Sequence, residues 1–165
     1  MWPFKSTSKP VKSRTAGSRE GNDCFPVGPY ALDSRLPTTV QLRPFTEAEL
    51  IALDRDVTFV GELVAWAPPV QFEDLEWNVV LGLVNGVIYK ISLQFNGARA
   101  KVGHFHRYFA IRCNRDFSVG PNIGGAQIWD AKNGNICVDG RNLGGEAIVT
   151  VTLTSNAIAG YPRET

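Results

Sequence analysis

Few side chains in this sequence have types and spacing that suggest chemistry. His104 and His106 flank Phe105, and two histidines at i and i+2 on a β-strand share a face and can chelate a metal. Here, however, Ala98, Val102, Phe105, Phe109 and Cys113 recur at intervals of three and four. That is the stripe of an amphipathic helix, on which i and i+2 diverge by roughly 200°. The pair therefore reads as two helix-surface histidines beside Arg107, and no Cys or carboxylate set at ligand spacing completes a metal site. An enzyme built here would use His104 or His106 with Asp116, Arg112 or Arg115, in a site between the 98–113 helix and a 114–125 loop.

The cysteines Cys24, Cys113 and Cys137 are odd in number and widely spaced, with no CxxC pair. They point to reduced thiols in a cytoplasm, not to a disulfide framework. Cys113 falls on the helix stripe, Cys24 adjoins Asp23, and the hairpin register set out below puts Cys137 opposite Asp130. None has the electropositive surroundings that generate a reactive thiolate.

Gly120-Pro121-Asn122-Ile123-Gly124-Gly125 is the one Gly-rich run long enough to cradle an anion. It lacks the Lys-Ser/Thr ending of a phosphate-binding loop, and a strand follows it in place of a helix. It reads as a mobile connection, with Arg112 and Arg115 as the residues that would meet an anion. Asp130 to Asn135 lacks the alternating acids and distal Glu of a calcium loop. GxSxG, HExxH and GxGxxG signatures are absent, and no cofactor is expected. Glu73, Asp74 and Glu76 beside Trp77 form an acidic lip. Glu62, in an apolar stretch, is a carboxylate that needs a partner.

The elements that must carry these residues are signalled locally. Asn85-Gly86, the preferred dipeptide of a two-residue hairpin, joins Trp77–Val84 to Val87–Phe95. Strict register then sets Val84 against Val87, Gly82 against Tyr89, Val80 against Ile91 and Asn78 against Leu93. Tyr89 covers the bare Gly82, the 98–113 helix lies on the Val80/Ile91 face, and Trp77, Val79, Leu81, Leu83 and Ile88 occupy the other. Asn133-Gly134 predicts a second hairpin, Ala126–Lys132 with Asn135–Asp139. A strand over Val57–Trp66 stops at Pro68-Pro69, and a last strand runs from Ala147 to Thr154. Thr46 with Glu49 forms a capping box ahead of a short helix ending near Arg55. The prolines at 26, 29, 37 and 44 make residues 24–45 an extended arm laid on the domain. The sum is an α+β fold: an antiparallel sheet of about five to six strands, one main helix on one face and a short N-terminal helix.

Composition sets the outer bounds. The 165 residues, 44% hydrophobic and 20% charged, suit one soluble domain over residues 23–165. No apolar run approaches the roughly 18 residues of a membrane span, and the N-terminus lacks the apolar core of a secretion signal. Residues 1–22 read as a disordered basic tail whose Trp2 and Phe4 offer weak contact with a membrane or nucleic acid. Residues 1–20 hold five of the 17 Lys and Arg and one of the 16 acidic residues, leaving twelve basic against fifteen acidic in the body. A mildly acidic body argues against a duplex-binding domain. The expected function is a non-enzymatic protein-binding module, of adaptor, inhibitor or immunity type. It would act in the cytoplasm on a protein partner through a sheet face around Trp77 or the acidic rim of Glu73, Asp74 and Glu76. The alternative is the small enzyme described above.

Overall fold

The computed structural model describes residues 25–165 except 26, 54 and 56, so the basic tail and Cys24 lie outside the described residues. Strands β3 (Leu75–Val84) and β4 (Val87–Gly97) meet across Asn85-Gly86, both in the left-handed region at φ 51° and 79°. The register that such a turn imposes holds for Val84 with Val87, and Leu83 then pairs with Ile88. A β-bulge follows: Gly82 pairs with Lys90, Tyr89 is left as the extra residue, and pairing resumes with Leu81 against Ile91.

The bulge corrects the expected faces. Tyr89 does cover Gly82, where a Cβ would stand 2.7 Å from the ring. But Val80 pairs with Ser92, and Asn78 with Gln94. Ile91 and Leu93 thereby join Trp77, Val79, Leu81, Leu83 and Ile88 on one buried face. Lys90, Ser92 and Gln94 move to the other, beside Asn78 and Val80. The main helix, α2 (Arg99–Asp116), consequently packs on the Trp77 face and not on a Val80/Ile91 face. The Trp77 ring lies 5.0 Å from that of Phe105 and 5.6 Å from that of Phe109.

The α+β class stands, but the sheet among the described residues has eight antiparallel strands and not five to six. Their order across the sheet is β1 (Arg43–Pro44), β2 (Glu62–Phe72), β3, β4, β8 (Glu146–Ser155), β7 (Gly134–Leu143), β6 (Ala126–Ala131) and β5 (Ser118–Ile123). β2 (Glu62–Phe72) runs through Pro68-Pro69 because these fall at a register shift between Ala67 and Val70, where no ladder N–H is required. β1 is a two-residue edge, Arg43–Pro44. β5 (Ser118–Ile123) occupies the segment expected as a mobile loop, and Gly124-Gly125, at φ 59° and 85°, turns it tightly into β6 (Ala126–Ala131). The supposed anion cradle is thus an edge strand and its hairpin turn.

β6 pairs with β7 (Gly134–Leu143), but Asn133-Gly134 is not the turn: Ala131 pairs with Gly134, so Lys132 and Asn133 form it. Cys137 accordingly faces Ile128 and not Asp130. Gly134 serves a different purpose, because a Cβ there would stand 1.9 Å from the Thr154 carbonyl oxygen. β8 (Glu146–Ser155) closes the centre of the sheet against β4.

Short helix α1 (Glu47–Ala52) begins with the Thr46/Glu49 capping box in place. The Pro-rich arm does more than lie on the domain, since Phe25, Val27, Tyr30 and Leu32 are part of the core beneath α2. The Phe25 ring is 5.5 Å from Phe109, and the Tyr30 hydroxyl donates to the Pro68 carbonyl at 2.9 Å.

Gly134→Ala is expected to destabilise the protein by about 1–3 kcal/mol, because backbone must move to admit the methyl group. Gly145→Ala, at an open turn position, should change stability by less than about 0.5 kcal/mol. Urea unfolding of the two variants measures both, and equal tolerance would contradict the observed register.

Candidate functional site

The sheet face turned away from α2 carries the charged and polar groups. At its β2 end it is partly roofed by α1, which a compact set of contacts fixes in place. Phe45 stacks on Trp66 with ring centroids 5.3 Å apart. The Glu49 carboxylate accepts from the Thr46 N–H at 2.8 Å, Trp66 Nε1 at 3.1 Å and Arg43 Nη2 at 3.1 Å. Arg43 most of all, then the Thr46 N–H, holds the Glu49 carboxyl far below its ordinary 4.5, at about 2.

Beside α1, Glu62 provides the carboxylate that the sequence marked as needing a partner, and it has three. It accepts from Arg55, from the Tyr89 hydroxyl and from the Phe59 N–H, the last at 3.1 Å. Burial first, and then the hydrogen bond to Glu62 and its charge, raise the Tyr89 hydroxyl above its ordinary value. Phe59, Tyr89 and Tyr161 pack edge to face above this network, forming a small second core with Val84.

Lys90 stands next to these groups, on the open side of the bulge. It lines a cleft of about 60 Å³ with Phe45, Leu53, Val64, Val80 and Tyr89, roughly the room of two waters. No described residue gives its amine a hydrogen bond or an ion pair. Burial and the nearby Arg55 charge lower its pKa. Farther across the face, Ser92 and Thr152 hydroxyls lie 3.2 Å apart. Cys137 pairs with Thr152 in register, its thiol pushed up by burial and then by Asp139, which opposes nucleophilic use.

The residues singled out from sequence fall in separate places. Trp77 is fully enclosed in the α2 core, so it offers no surface to a partner. The bulge is the reason, since it turns the Trp77 face toward the helix. Glu73 and Asp74 form the tight β2–β3 turn, both exposed and both left-handed at φ 49° and 60°. Glu76, also exposed, starts the open-face column of β3 that continues through Asn78 and Val80. His104 is exposed, whereas the ring of His106 lies over Gly140 of β7. Asp116 is buried at the far end of α2, about 15 Å of helix rise from His106. Arg112 and Arg115 hold Asp116 at 3.8 and 3.2 Å, so they serve as its counter-ions. The histidines, Asp116 and these arginines therefore do not converge on one reacting atom. Cys113 is buried in the core.

Among the described residues no group of three His, Cys, Asp or Glu is placed to hold a metal ion. No described helix is long and apolar enough to cross a membrane. No family model matches the chain, and neither a curated protein nor a solved structure is significantly similar to it.

Tyr89→Phe, which deletes one donor to the buried Glu62 carboxylate, should cost about 1–3 kcal/mol in chemical unfolding. A change near zero would show that water replaces the hydroxyl. The depressed Glu49 pKa stabilises the α1 contact fully above 4.5 and loses it as pH falls toward about 2. The Trp66 indole N–H resonance should therefore titrate with a midpoint near the lower value, and a midpoint at 4.5 would mean the clamp is not formed.

Proposed function

We propose that this chain is a non-enzymatic protein-binding module that receives a basic segment of a protein partner on the open sheet face, along the acidic rim. The observation that carries this reading is the one-sidedness of the sheet. On the side away from α2, β3, β4 and β8 present Asn78, Gln94, Thr150 and Thr152 exposed or half-buried. Among the described residues, the α1 region and the Tyr161 segment lie over the β2 side and the β3–β4 turn, and Phe45 and Leu53 line a cleft over the buried Val80 and Ser92, while Asn78 stays exposed.

The Glu73-Asp74 turn supports the choice of a basic partner. A two-residue turn with both φ positive favours Asn-Gly, and the chain uses that dipeptide one hairpin later at Asn85-Gly86. Placing Glu and Asp in left-handed conformations costs roughly 1–2 kcal/mol per residue. Two exposed carboxylates kept at that cost, continued by Glu76 along the face, suit a role in contact rather than in folding.

Replacing Glu73 by Asn and Asp74 by Gly separates the two roles. The expected result is a gain of about 1 kcal/mol in stability together with loss of the partners that the native chain retains in affinity capture read by mass spectrometry. Thr150→Lys, on the face itself, should lose the same partners, and Ile111→Lys, on the exposed side of α2, should keep them. Identical capture by all four proteins would overturn the reading.

A further inference from the structure

We propose that a small ligand bearing two or more phosphate groups binds in the groove between the N-terminal half of α2 and the end of β7. The groove encloses about 350 Å³, within the range of small-molecule pockets. Arg99, Gly103, His106 and Arg107 line it from the helix, and Gly140 and Asn142 from the strand. Its charge is uncompensated. Among the described residues Arg99 and Arg107 have no carboxylate partner, Arg99 reaching only the Gly144 carbonyl at 3.5 Å. The adjacent Arg141 is already bonded to Asp139 at 2.8 Å. Two guanidiniums without a carboxylate partner among the described residues and an imidazole lining one cavity form a donor set suited to phosphate oxygens.

Gly103 supplies a second, independent argument. A glycine inside a helix costs about 1 kcal/mol relative to Ala, and close packing does not require this one. The nearest atom to a Cβ there is Arg107 Nη1 at 3.6 Å, in the groove itself. Opposite it, a Cβ on Gly140 would come within 3.1 Å of the His106 ring. The bare backbone of Gly140 thus seats the His106 ring in the groove wall, and that of Gly103 leaves room beside the Arg107 guanidinium. Arg99 and Arg107 stand two turns apart, a rise of about 12 Å, which suits a ligand with more than one phosphate. Residues 21–165, the groove arginines included, carry twelve basic against fifteen acidic residues, a balance that disfavours a long polyanion on the body.

The test is a titration of the full chain with inorganic pyrophosphate at low salt, followed through backbone amide and arginine Nε–H resonances. Saturable shifts are expected at Arg99, Gly103, Arg107 and Gly140, with Kd below about 1 mM. Arg99→Ala combined with Arg107→Ala should weaken binding by about tenfold or more. Gly103→Glu, which removes the helix glycine and sets a carboxylate between the two guanidiniums, should abolish binding without lowering Tm. Arg115→Ala, at the other end of α2, should leave the affinity unchanged. Linear, unsaturable shifts, or binding that survives Gly103→Glu, would overturn the site. A short oligothymidylate that displaces pyrophosphate from the same amides at lower concentration would overturn its assignment to a small ligand.

Discussion

The bulge at Tyr89 is the constraint on which the rest of this structure depends. From Ile91 onward β4 alternates apolar and polar residues, Ile91, Leu93 and Phe95 against Lys90, Ser92 and Gln94, but Ile88 is out of phase with the apolar set. One extra residue brings it into phase, so that every large aliphatic side chain of β3 and β4 except Val80, Val84 and Val87 joins the core shared by α2 and the arm residues Phe25, Val27, Tyr30 and Leu32. The extra residue then needs a place of its own. Tyr89 fills it by covering Gly82 and donating to Glu62, whose carboxylate is also tied to Arg55 and to the Phe59 N–H. A buried carboxylate with three donors is stable where a lone one is not. The Glu62 contacts and the sorting of the two faces are therefore one arrangement.

Signals confined to a few neighbouring residues were legible in the sequence. The Thr46/Glu49 box opens α1, Asn85-Gly86 turns the central hairpin, the three-and-four stripe gives α2, and the alternation from Ala147 gives β8. What the sequence concealed depends on partners distant in the chain. Pro68-Pro69 reads as a stop until the irregular pairing with β3 shows that those N–H groups are not needed. Gly134 reads as a turn residue until β8 lies within contact of it. The Gly-rich segment before β6 reads as a loop because an edge strand needs little apolar content, and Val119 and Ile123 remain exposed on it.

The same distinction separates the site residues. Glu62 was marked by burial alone, an argument that needs no knowledge of the partner. Trp77 was placed on the wrong side because register propagates: one unrecognised bulge reverses the facing of everything beyond it. A signal for that bulge was present, since strict register left both faces partly apolar, a poor solution for a sheet with one main helix. Arg112 and Arg115 were named as the residues that would meet an anion because the sequence does not reveal that Asp116, four and one positions on, is buried and paired with both.

Once the bulge has assigned the faces, the polar resources of the molecule separate. The open face holds hydroxyls, amides, the acidic turn and, in a narrow cleft, the Lys90 amine, which has no ion-pair partner among the described residues. The α2 side holds the aromatic core and, at its margin, the guanidiniums of Arg99 and Arg107, without a carboxylate partner among the described residues. Glu76 and the Arg99 and Arg107 guanidiniums thus lie on opposite sides of a sheet whose strand spacing and core packing keep them apart. Charges left unpaired in this way add little to the stability of the fold. Their placement lies outside the ion pairs that Glu62 and Asp116 form with Arg55, Arg112 and Arg115.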